Sequence, residues 1–153
     1  TANCSGKWPY LPGKDSGMVD LRIVPQPGAG LSELFWLTNL QGSWAAVRNP
    51  DQGVGFGFAW DPTMYKNSLI WLVANGDTGY PRYGDTYVLC FLPKNCDIHG
   101  LDKTIEAGQA DWLAPGETRA SWINASAFQG PDLGETPVHE IRRDGSVLRR
   151  KEK

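Results

Sequence analysis

The residues of this chain best suited to hold a ligand form an aromatic and polar group: Trp60, Trp71, Tyr80, Arg82, Tyr83 and Asp85. Sugars present apolar C–H faces edged by hydroxyls. Flat aromatic rings with a few fixed polar anchors match that surface, because small-molecule sites combine apolar walls with sparse polar groups. Four of the six lie in or beside the run NGDTGYPRYG at 75–84, whose tyrosine-rich part Asp77 and Asp85 bracket. Each aspartate has the chemistry to accept hydrogen bonds from sugar hydroxyls. The same types also serve structure alone: tryptophans fill cores, tyrosines cap sheet edges and aspartates close turns. Both uses are open for the loop residues, and the core is the first expectation for the two tryptophans.

Catalytic groups are scarce. No phosphate-binding loop, dinucleotide fingerprint or nucleophile elbow is present. The histidines are His99 and His139. Cys90, Cys96 and His99 have loose spacing and no fourth ligand, so a turn histidine beside a buried cysteine is expected rather than zinc. No metal and no cofactor is expected. Asp61 precedes Pro62 and reads as a turn former. Neither it nor Glu106 stands in a carboxylate pair whose spacing implies acid–base work.

The elements that position these residues centre on Val54–Trp60. There Val54, Phe56, Phe58 and Trp60 alternate with Gly55, Gly57 and Ala59, giving a strand with one bulky face and one nearly bare face. Strand glycines mark a close approach to the backbone, by a ligand or by another packed layer. The apolar run at 68–74 predicts a buried strand and 85–92 a further one. Shorter strands are expected at 19–24, 33–40 and 44–48, the last two joined as a hairpin through Gln41-Gly42-Ser43. Asn49-Pro50-Asp51-Gln52-Gly53 predicts a turn into the central strand. Beyond it come two short segments near 103–106 and 110–113, a long strand over 117–128, and a closing hairpin at Asp144-Gly145. No helix and no repeat is read. The class is all-β, an antiparallel β-sandwich, divided into an arm (1–18), a sandwich core (19–130) and a hairpin with a basic tail (131–153).

Composition agrees with one domain's worth of chain. The 153 residues are 41% hydrophobic and 21% charged, and 18 Gly with 11 Pro suit short strands and turns. Seven Trp serve core filling and, in part, ligand stacking. A net charge of −2 gives no case for nucleic acid. The basic tail from Glu140 onward is interrupted by acids and reads as an edge-blunting strand. No apolar run reaches transmembrane length and no signal peptide is read, so a soluble chain is expected, processed, trimmed or a fragment, with no membrane partner. The compartment stays open, cytoplasmic or secreted. Cys90 and Cys96 flank a turn that allows a disulfide, and three cysteines do not close a framework. Asn3-Cys4-Ser5 and Asn124-Ala125-Ser126 match the glycosylation sequon.

Several short motifs in order resemble the C-terminal part of aldose 1-epimerase (mutarotase-like) proteins. They are Gly53 through Pro62, Leu69-Ile70-Trp71, Gly79 through Gly84, Tyr87 through Pro93, Glu106-Ala107-Gly108 and Leu113 through Glu117. The resemblance covers about 19–128. It implies part of a large antiparallel sandwich with a sugar, or sugar phosphate, across one face. It also implies anomer interconversion by a glutamate base and a histidine acid. The family's glutamate precedes a proline, and this chain has Leu92-Pro93 there. Neither His99 nor His139 lies in a matching motif. The expectation is a sugar-binding domain with weak or no epimerase activity of its own. An active isomerase completed by a partner chain or a missing N-terminal half is the alternative, and a structural assembly module the third. A second chain or another copy is expected to cover the sheet.

Overall fold

A computed structural model describes residues 4–13 and 17–150. The described residues form ten strands and one short helix: β1 (Tyr10–Pro12), β2 (Met18–Asp20), β3 (Leu31–Leu37), β4 (Trp44–Asn49), β5 (Val54–Trp60), β6 (Asn67–Ala74), β7 (Tyr87–Lys94), α1 (Leu101–Glu106), β8 (Ile123–Gln129), β9 (Val138–Ile141) and β10 (Val147–Arg149). The protein is all-β and antiparallel. Its sheets are β1-β2, β3-β6-β7, β4-β5-β8 and β9-β10. Contacts divide the chain into a first unit, 1–33 with 72–88, and a second unit, 34–71 with 89–153. Strands β3, β6 and β7 each contribute residues to both units.

In the first unit, β1 and β2 pair antiparallel with Leu11 opposite Val19. The expected strand at 19–24 stops at Asp20. The Asp20 carboxylate accepts the Arg22 main-chain N–H at 2.9 Å and pairs with its guanidinium at 2.7 Å. A side chain that bonds its own backbone two residues on turns the chain out of a ladder.

The second unit is built on β5. β5 pairs with β4 (Phe58 opposite Ala45) and with β8 (Phe58 opposite Ala125). The turn at 49–53 is present: Gly53 takes φ 65°, and the Asn49 side chain accepts the Gln52 N–H at 3.2 Å. On the bulky face of β5, Phe58 meets Phe91 of β7 edge to face at 5.9 Å, joining two sheets as layers of a sandwich. Trp60 closes this core.

The bare face of β5 is covered by protein. Phe128, opposite Gly55 in the ladder, lies across that glycine. Ile141 of β9 sits over Gly57, close to the main chain of Ala45 and Ala46. Gly145, in the β9-β10 turn at φ 83°, accepts the Ser126 hydroxyl at 2.9 Å through its carbonyl. The C-terminal hairpin is thus a further layer on this sheet, and Ile141 is buried beneath it. The glycines let two backbones approach, as a second packed layer requires. The same hairpin ties its charges locally, Arg149 to Asp132 at 2.6 Å and Arg142 to Glu140 at 3.4 Å, while Arg143 stacks 5.2 Å from the Trp122 ring. Lys151 and Lys153 of the expected tail lie outside the described residues.

Three local expectations need correction. β3 and β4 do not form a hairpin: β4 pairs with β5, and β3 with β6 in another sheet. The short polar link at 41–43 suits a crossover as well as a hairpin, and only the partners decide. The segment near 103–106 is the helix α1, entered at Gly100 with φ 103°, where the Thr104 hydroxyl binds the Gly100 carbonyl at 2.7 Å. The long strand at 117–128 begins at Ile123. Residues before it turn instead, because Glu117 accepts the Ala114 N–H at 2.8 Å and Arg119 donates to the Trp112 carbonyl at 3.0 Å. The described cysteines, Cys4, Cys90 and Cys96, are all free thiols.

Candidate functional site

The six residues singled out by type fall in both units. Trp60 and Trp71 belong to the second, and Tyr80, Arg82, Tyr83 and Asp85 to the first. Trp60 is 1% exposed, and its indole N–H donates to the Tyr65 carbonyl at 3.1 Å. It is a core residue with no face left for a ligand, which corrects its place among the binding residues. Trp71 is partly buried in β6.

The loop at 75–86 brings the other four together. Its base is Asn75, at φ 61°. The Asn75 side chain donates to the Gly84 carbonyl at 2.7 Å and accepts the Gly28 N–H at 2.7 Å, while its own N–H reaches the Thr86 carbonyl at 2.9 Å. Asparagine tolerates this left-handed conformation better than most residues. Next to it, Gly76 lies so close to the Leu31 main chain that any Cβ would collide with it. Within the loop, Arg82 pairs with Asp77, and the N–H groups of Arg82 and Tyr83 both reach the Gly79 carbonyl at 2.9 Å. Asp77 is therefore a brace for the loop, a role that its position as a bracketing acid did not reveal.

This scaffold displays two rings. Tyr80 is 84% exposed and Tyr83 65%, and their rings meet edge to face at 6.0 Å. Tyr83 holds φ 46°, a conformation uncommon for a bulky residue. Exposed Asp85, whose N–H reaches the Arg82 carbonyl at 2.9 Å, stands beside them. Tyr87, just beyond, donates to the Pro25 carbonyl at 2.9 Å. Two aromatic rings turned to water, next to a carboxylate and a guanidinium, form an amphipathic platform.

The second unit holds a cleft of about 650 Å³. Its wall includes Lys66, Asn67, Asn95, Asp97, Gln109, Asp111 and Arg119. Asn95 donates to Asp111 at 2.8 Å, and Arg119 pairs with Asp111 at 3.2 Å. The Asn95 amide holds the Asp111 carboxyl below its usual range, with Arg119 and Lys66 acting in the same direction. The Asp97 N–H donates to the Gln109 side-chain oxygen at 3.3 Å. No motif joins these residues. They come from four separate stretches of chain, so their type and spacing gave no sign of the cleft.

The residues weighed for other chemistry are also placed. No group of three or more His, Cys, Asp or Glu able to hold a metal occurs among the described residues. The Cys96 thiol is buried and contacts the Ile98 carbonyl at 3.6 Å, while His99 is exposed. Asp61 caps a turn, accepting the Thr63 N–H at 2.9 Å and its hydroxyl at 2.7 Å. Leu92 lies in β7, and its carbonyl accepts the Ser68 hydroxyl at 3.4 Å. The Asn124 amide of the second sequon donates to the Arg143 carbonyl at 2.6 Å within the fold; Asn3 of the first lies outside the described residues. Comparison with family models, curated proteins and solved structures yields no match.

Proposed function

We propose that this chain is a carbohydrate-binding, mutarotase-like β-sandwich domain with weak or no aldose epimerase activity of its own. The observation that carries the reading is the pair Tyr80 and Tyr83, exposed on a loop braced by Asn75, Gly76 and the Arg82–Asp77 ion pair. Exposed rings contribute little to folding, since hydrophobic stabilisation follows the apolar area removed from water. Holding one of them at positive φ adds a cost of its own. Fixed aromatic faces flanked by Asp85 and Arg82 suit the C–H face and hydroxyls of a sugar. Leu92, at the position of the family's glutamate, has no group that takes a proton. Positioned acid–base groups typically contribute about 10²–10⁴-fold.

Two measurements test this. Titration with neutral aldoses should shift the ring resonances of Tyr80 and Tyr83 in NMR spectra, and in each single variant, Tyr80→Ala or Tyr83→Ala, the ring that remains should respond more weakly. Silence of both rings across a panel of aldoses would remove the platform from consideration. Polarimetry of freshly dissolved glucose and galactose should show mutarotation little faster than in buffer. A large acceleration that survives dialysis would return the isomerase reading.

A further inference from the structure

We infer that the cleft of the second unit is a binding site in its own right, and that its ligand is an uncharged, polyhydroxylated ring such as a neutral monosaccharide. This inference does not depend on the tyrosine platform, which belongs to the other unit. It rests on how the charges in the cleft are spent. Two cations and two carboxylates line it: Lys66, Arg119, Asp97 and Asp111. Arg119 is committed to Asp111, to Glu117 and to the Trp112 carbonyl, and Asp111 is committed to Arg119 and Asn95.

What is left facing the space is one group of each kind. Among the described residues the Lys66 ammonium and the Asp97 carboxylate form no ion pair, and the Asn67 amide makes no side-chain hydrogen bond. Among the described residues Gln109 uses its oxygen on the Asp97 N–H and keeps its NH₂ donors, and Asn95 uses its NH₂ on Asp111 and keeps its oxygen. Donors and acceptors are therefore interleaved.

A hydroxyl donates one hydrogen bond and accepts others. Adjacent hydroxyls on a ring thus satisfy a carboxylate beside an ammonium, or an amide oxygen beside an amide nitrogen. A phosphate or a sugar acid brings acceptors and negative charge against Asp97 and Asp111. A cationic ligand meets Lys66 and Arg119. The volume of about 650 Å³ lies within the range of about 300–1,000 Å³ typical of small-molecule sites. The polar wall favours a ligand that replaces water's hydrogen bonds over an apolar one.

The test uses the full chain carrying Tyr80→Ala/Tyr83→Ala, so that the platform makes no contribution. Calorimetry with glucose, galactose, glucose 6-phosphate and glucuronate follows. The expected result is binding of at least one neutral sugar, with the phosphorylated and acidic forms much weaker. Adding Asp97→Ala should weaken the neutral sugar by roughly tenfold or more, the loss expected for one charge-assisted hydrogen bond. Lys66→Met, at an exposed position, should weaken it as well. Tighter binding of glucose 6-phosphate or glucuronate than of the neutral sugars would overturn the assignment of ligand class. If the neutral sugars bind the unmodified chain but not the tyrosine variant, the cleft is not a site and the platform stands. If a neutral sugar binds the variant but ignores Asp97→Ala and Lys66→Met, the cleft is again excluded.

Discussion

At the scale of single residues, the two glycines of β5 do different work although they sit on one face. A Cβ at Gly57 would run into the main chain of Ala45 and Ala46 and into Ile141. The three atoms nearest a Cβ at Gly55 all belong to the ring of Phe128, a partly buried side chain that shifts more readily than ladder backbone. Backbone held in a ladder does not give way, so the costs separate. Gly57→Ala should lower the stability by about 1–3 kcal/mol, the usual cost of overpacking, and Gly55→Ala by clearly less. Urea unfolding of the two variants checks this, and equal midpoints would refute the argument. Asn75 and Gly76 carry the comparable burden in the first unit, where the exposed tyrosines depend on them.

At the scale of elements, the C-terminal hairpin is the unexpected layer. Alternation and Asp144-Gly145 predict the hairpin itself, and β9 and β10 form it, with a register shift between Leu148 and Arg149. Its charges read as those of an edge strand facing water. The structure instead sets Ile141 inward, 3% exposed, against Gly57. Ile141→Ala should therefore cost about 2–5 kcal/mol, in the range for truncating a buried aliphatic side chain. A variant as stable as the parent in urea would show that the hairpin is not packed as described. The turn signal Pro115-Gly116 is local and is found in place, whereas α1 went unread because its six residues are too short to show a helical period.

At the scale of the whole molecule, the carboxylates set the response to acid. Asp20, Asp61, Asp111, Glu117, Asp132 and Asp144 are all held below their ordinary range, chiefly by hydrogen bonds to the charged form. For Asp132 the Thr136 hydroxyl leads and Arg149 follows. A carboxyl depressed in the folded state takes up its proton first in the unfolded chain. Its contribution is complete above the unfolded value of about 3.9–4.3 and is lost as pH falls through the lower folded one. The urea midpoint should thus hold steady from pH 7 to about pH 5 and fall below about pH 4. A midpoint at pH 3 equal to that at pH 7 would contradict this. These groups are exposed or only partly buried, so added salt should shrink the effect.

The sequence alone determined the class and most of the strands. Period-two alternation in Val54–Trp60, the apolar run ending at Ala74 and the turn signals at 49–53 and 144–145 are local, and local rules read them. It also marked the loop of Tyr80 and Tyr83 as worth watching, because turn residues and aromatics are visible in one dimension. Only the tertiary structure decided which strands are partners, since β3 and β4 pass to different sheets over a link that would equally serve a hairpin. It alone put Trp60 in the core, Ile141 on the glycine face, and Lys66, Asp97 and Arg119 around one cleft. The reason is physical: a side chain's exposure and charge partners are set by residues far away in the chain, and no short window contains them.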